Sequence, residues 1–75
     1  MGMTRRLTAI IHLEEGGYVS LCPELDIASQ GGTVESAREN LKEAVELFFE
    51  CASPAEIHGR LNSEVFVTHV EVACG

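Results

Sequence analysis

Any chemistry in this chain has to come largely from its carboxylates. Glu39, Glu43, Glu46 and Glu50 recur at positions i, i+4, i+7 and i+11. At about 100° per residue that spacing stacks all four on one stripe of a helix. Like charges so placed repel one another, and they gather toward the C-terminal end of the run, where the helix dipole is already negative. A sequence under no other demand would put lysine at some of these positions, so the stripe points to a site for a positively charged partner. The plain alternative is a solvated helix face. Glu24 and Asp26, in a loop after the second strand-like run, add two further carboxylates. These six residues are the candidate partner-binding set.

Other chemistries find weaker support. Three histidines and three cysteines are present, but none are paired at C-x-x-C or H-x-x-x-H spacing, so no metal or other cofactor is expected. Cys22, Cys51 and Cys74 are odd in number and far apart, which suits reduced thiols better than a disulfide framework. A metal-dependent nuclease would bring several carboxylates to divalent cations. The first strand reads Thr8-Ala9-Ile10-Ile11-His12, with no carboxylate, which leaves Asp26 and Glu71 without a companion. Neither a G-x-S-x-G elbow nor a P-loop occurs. The chain is therefore expected not to be an enzyme.

Twelve acidic residues against five basic ones give a formal charge of −7. That charge repels phosphate backbones and argues against direct nucleic-acid binding, while it speeds encounter with basic proteins. A hydrophobic share of 45% with 23% charged residues implies a folded domain. At 75 residues its core is small, so self-association would help it. No apolar run reaches the roughly 20 residues of a membrane-spanning helix, and the expected location is cytoplasmic.

The elements that would position these residues follow from periodicity. Residues 6–14 alternate as a strand, Gly16-Gly17 reads as a hairpin turn, and residues 18–22 alternate again up to Pro23. Ile27 to Gln30 reads as a short third strand stopped by Gly31-Gly32. Thr33 is placed to cap a helix from about Val34 to Glu50, whose apolar stripe is Val34, Ala37, Leu41, Ala44, Val45 and Phe48. Ser53 and Pro54 suit a short turn to Ile57, ended by Gly59. Residues 64–73 alternate as a fourth strand.

The expected fold is α+β, in the order β-β-β-α-β. A three-stranded antiparallel meander and a fourth strand, in spatial order 3-2-1-4, would pack on one long helix. Leu7, Ala9, Ile11, Leu13, Val19, Leu21, Phe66, Val70 and Val72 would line the inner face. Ile10, Tyr18, Val65 and Val67 would remain on the outer face as an oligomer interface, giving a homodimer or a tetramer of such dimers. Residues 4–73 would form one domain.

The run from Leu21 to Gly31 is followed by Thr33, Glu35, Ala37, Asn40, Leu41, Glu43, Ala44, Glu46, Leu47 and Phe48. It resembles the HicB antitoxin family of toxin–antitoxin systems, over roughly residues 5 to 73. The resemblance implies a degenerate RNase H-like fold and a partner, HicA, a small basic RNase that cleaves mRNA and is neutralised by direct contact. Longer members append a DNA-binding domain that represses the operon. None is expected here, because the sequence ends at Gly75. Two other classes remain open: an orphan HicB-fold oligomer with another binding role, and an unusual metal-dependent RNase H-like nuclease.

Overall fold

The computed structural model describes residues 4–62 and 64–75. Three strands come first, β1 (Ile10–Glu14), β2 (Gly17–Cys22) and β3 (Ile27–Gly31), followed by two helices, α1 (Val34–Cys51) and α2 (Pro54–Leu61). The strands form one antiparallel sheet in the order β1-β2-β3. The fold is α+β with a meander, as expected.

Local chemistry explains the joints. The hairpin loop is Glu15-Gly16, one residue earlier than the glycine pair suggested, and only Gly16 takes a positive φ there, +85°. Gly17 is the first residue of β2 and pairs with Glu14. Between β2 and β3 a turn over residues 23–26 follows Pro23, and Asp26 adopts the left-handed region at φ 55°. Asp tolerates that region better than most side chains.

Thr33 caps α1 as its position implied, with its hydroxyl accepting from the Ser36 backbone N–H at 3.0 Å. The reciprocal half of the capping box comes from Ser36, whose hydroxyl oxygen accepts from the Thr33 N–H at 2.9 Å. Ser53 caps α2, accepting from the Glu56 N–H at 3.1 Å, with Pro54 at the start of the helix. Gly59 does not end α2, which continues to Leu61. The glycine penalty of about 1 kcal/mol is outweighed by tertiary contacts beyond it. Arg60 donates to the Leu25 carbonyl and lies 5.2 Å over the Phe48 ring, and Leu61 packs on the core.

The core is small and sits where β2, the 23–26 turn and α1 meet: Cys22, Leu25, Ala37 and Leu41 are buried, with Leu7, Ile27, Val45, Phe48, Phe49 and Leu61 packed around the cluster. Here the structure corrects the expected face of β2. Ser20 and Cys22 face α1, and Val19 and Leu21 lie on the opposite side of the sheet. Alternation ties Val19 to Leu21 without saying which face they occupy. The helix selects the face with small groups, because they allow close approach. A Cβ on Gly31 would collide with Ser36 and the Ala37 backbone, and the Ser20 hydroxyl reaches the Ala37 carbonyl at 2.8 Å. Valine and leucine at those places would hold α1 off the sheet.

Among the described residues the sheet has three strands, and the expected fourth is not among them. Residues 64–75 have no strand pairing, and Phe66, Val67, Val70 and Val72 are between 63% and 83% exposed. Alternating apolar residues favour a strand, but a strand exists only when a neighbour completes its hydrogen bonds. Nor do Phe66, Val70 and Val72 join the core; Leu25, which the pattern did not single out, holds its centre.

Candidate functional site

The long helix sets the geometry of the acidic site. The Ala37–Leu41 side of α1 turns onto the sheet, and Asn40 ties it to β3 by donating to the Gln30 carbonyl at 2.7 Å. With that side fixed, the helical period points Glu39, Glu43, Glu46 and Glu50 away from the sheet, and all four are exposed. The last turn of α1 contains no basic residue. Arg38 makes the one ion pair with the stripe found among the described residues, to Glu39 at 3.2 Å. The result is a row of solvated carboxylates along the outer side of a rigid rod.

The two loop carboxylates part company. Asp26 is exposed at the top of its turn. Glu24 is half-buried and accepts from the Thr8 backbone N–H at 2.9 and 3.1 Å and from the Thr8 hydroxyl at 2.6 Å; the Cys22 thiol lies 3.6 Å away. Burial pushes the Glu24 carboxyl up, but the Thr8 and backbone hydrogen bonds together outweigh it and hold the group below the usual carboxylate range. Its place in the fold is a clamp between the segment leading into β1 and the β2–β3 turn. The Cys22 thiol is pushed up, chiefly by burial, with Glu24's negative charge adding to the effect. A buried thiol so disposed is a poor nucleophile.

The residues assigned to the outer sheet face also separate. Ile10 lies opposite Leu21 on that face and is 40% exposed. Tyr18 pairs with Leu13 and Gly31 and shares the helix-facing side with Ser20 and Cys22, contrary to its expected position. Val65 and Val67 lie in the unpaired C-terminal segment. Among the described residues no group of three or more His, Cys, Asp or Glu comes together as a metal-ligand set. His12 instead lies 2.9 Å from Glu14 on the surface.

Sequence reasoning missed a second feature. Between residues 4–9 and α1 runs an open groove of about 1080 Å³, floored by Leu7, Leu41, Val45 and Phe49. Arg5, Arg6, Arg38 and Lys42 line it, so four of the five basic residues of an acidic chain gather at one place, beside Glu46 and Glu50 of the acidic stripe, which border the same groove. The signal was available in the scarcity of cations, but their convergence required the placement of α1 against the N-terminal segment.

Two relatives establish the family. A UPF0150 protein of Synechocystis sp. is 46% identical over 50 residues, covering 64% of this chain and 69% of its own length. A UPF0150 protein of Thermotoga maritima is 32% identical over 57 residues, covering 76% of this chain and 81% of its own. The chain belongs to the UPF0150 family. No protein-family model matches it, and no solved structure does. Among the described residues of this UPF0150 protein, no helix is long and apolar enough to cross a membrane.

Proposed function

We propose that this UPF0150 protein is an antitoxin-like binding module that neutralises a small basic RNA-cleaving toxin of the HicA kind by direct contact. The observation that carries the reading is the exposed row Glu39, Glu43, Glu46 and Glu50, which lacks cations in the final turn of its helix. Carboxylates fixed on a rod offer a basic toxin the same charge that a phosphate backbone does, and they occupy the lysines and arginines that would hold RNA. Asp26, exposed at the β2–β3 turn, offers a further carboxylate apart from the row, while Glu24 contributes by shaping that turn.

The sequence resemblance to HicB antitoxins supports the same reading. In it the sheet is completed by residues 64–73 as a fourth strand beside β1, in order 3-2-1-4 and RNase H-like. The free edge of β1 in the observed sheet is compatible with that addition. The protein acts in the cytoplasm as a homo-oligomer.

Inhibition of mRNA cleavage by a HicA-like toxin is the direct test. The wild-type chain should suppress cleavage at equimolar ratio, with affinity falling as salt rises. Reversing the four glutamates to lysine should abolish suppression while leaving the helical signal unchanged. Equal inhibition by the reversed variant, or no inhibition by the wild type, sinks the proposal.

A further inference from the structure

We infer that the groove between residues 4–9 and α1 receives the C-terminal segment, residues 64–73, of a second copy of this chain, so that two copies exchange strands. This extends the reading above by naming where the fourth strand docks and which molecule supplies it.

Three observations converge on that occupant. The first is the segment itself. Val65, Phe66, Val67, Val70 and Val72 are between 38% and 83% exposed, five large apolar side chains within eight residues left largely open to solvent. The radius of gyration is 14.6 Å and the longest extent 51 Å, whereas a compact chain of this length has a radius near 11 Å. The segment therefore reaches outward from a body too small to conceal it.

The second observation is the shape of the groove. Its N-terminal wall, residues 4–9, leads directly into β1, which pairs on one side only, with β2. An unpaired edge invites a further strand. Six extended residues span about 20 Å at ~3.3 Å each, and the α1 wall from Arg38 to Glu50 spans about 18 Å at 1.5 Å per residue. Six residues of the C-terminal segment fill that length. Phe66, Val70 and Val72 lie on one side of an extended chain and match a floor of Leu7, Leu41, Val45 and Phe49.

Charge provides the third observation. The groove sets four cations, Arg5, Arg6, Arg38 and Lys42, against two carboxylates, Glu46 and Glu50, and the segment carries Glu64 and Glu71 near its two ends. Acidic termini on an apolar strand complement an apolar floor whose rim is positive on balance, most of all where Arg5, Arg6, Arg38 and Lys42 lie. The exchange also repairs a stability problem, since among the described residues each copy by itself buries four apolar ones, and swapping an identical element is a low-cost route to a dimer.

The test uses the purified full chain alone, so its outcome is independent of any toxin. Sedimentation should give a dimer. Val70→Asp should raise its dissociation constant at least about tenfold, because a charge would be buried in the apolar floor. The helical signal in circular dichroism should remain unchanged, since Val70 is 79% exposed in its own fold. Lys42→Glu should weaken the dimer, and Glu71→Lys added to it should restore part of the loss.

Two differently tagged copies in a Cys51→Ser, Cys74→Ser background, one bearing Ile10→Cys and the other Val67→Cys, both on the side of the strand that faces away from the groove floor, should form a disulfide between copies. A monomer at every concentration, with or without an internal cross-link in the doubly substituted chain, overturns the inference. So does a dimer indifferent to both Val70→Asp and Lys42→Glu.

Discussion

The body of the molecule, from Leu7 to Leu61, and the segment from Glu64 to Gly75 are made of similar residues and meet opposite fates. Both alternate apolar and polar positions, and both are rich in valine, leucine or isoleucine. In the body, Ser20, Cys22, Leu25, Ala37 and Leu41 are buried behind a helix, whereas in the segment every residue is exposed. The difference teaches that β propensity prepares a chain for pairing and does not provide the partner. Strands β1 to β3 succeed because short turns return each one beside the last. The C-terminal segment has no such neighbour within its own sheet.

Substitutions in the two regions should therefore differ in kind. The largest effect is expected at Leu25, which is 0% exposed. Leu25→Ala should cost about 2–5 kcal/mol, enough to unfold much of a domain this small, and urea denaturation would measure it. The matching truncation Phe66→Ala should leave the unfolding free energy of the monomer within about 0.5 kcal/mol. A large loss that persists at concentrations where the chain is monomeric would mean that the segment packs on its own body.

Next comes Gly31→Ala. The added Cβ would strike Ser36 and the Ala37 backbone where α1 approaches the sheet, so a loss of about 1–3 kcal/mol is expected. The same substitution at Gly32, where a Cβ meets nothing, should be nearly neutral. Equal effects at the two glycines would remove close helix–sheet approach as the reason for the inverted face of β2.

Removing the cap with Thr33→Ala should cost about 1 kcal/mol, visible as a fall in melting temperature. The smallest effect is pH-dependent. Glu24 has a folded-state pKa below its unfolded value. Its contribution to stability is therefore complete above the unfolded pKa, near 4.3, and fades as pH falls through the folded one. Wild type should lose stability on acidification below about pH 4, and Glu24→Gln should flatten that part of the curve. An unchanged acid limb in Glu24→Gln would show that the Thr8 clamp carries no such linkage.

Much of the body was legible in the sequence. Period-two alternation located the strands, and Thr33 marked the start of the long helix because a hydroxyl before an amphipathic run satisfies orphan N–H groups. The outward direction of the glutamate stripe also followed, since the helical period fixes it once the apolar side is known. Less visible was the side of β2 that meets the helix. Ser20 and Cys22 are less apolar than Val19 and Leu21, so hydropathy favoured the wrong face. The dual nature of the 23–26 loop was equally hidden: Glu24 and Asp26 are the same chemistry two residues apart, and only the position of Thr8 turns one into a clamp and leaves the other in water.

Local rules such as side-chain period, caps and turn residues act within a few positions, so the sequence by itself determined the three-strand meander, the long helix and its acidic outer stripe. Which sheet face the helix covers, how four cations come together around one groove, and that residues 64–75 stand unpaired were decided only by the tertiary structure. Those outcomes depend on how closely two elements can approach and on whether a distant edge is available, which are contacts between residues far apart along the chain.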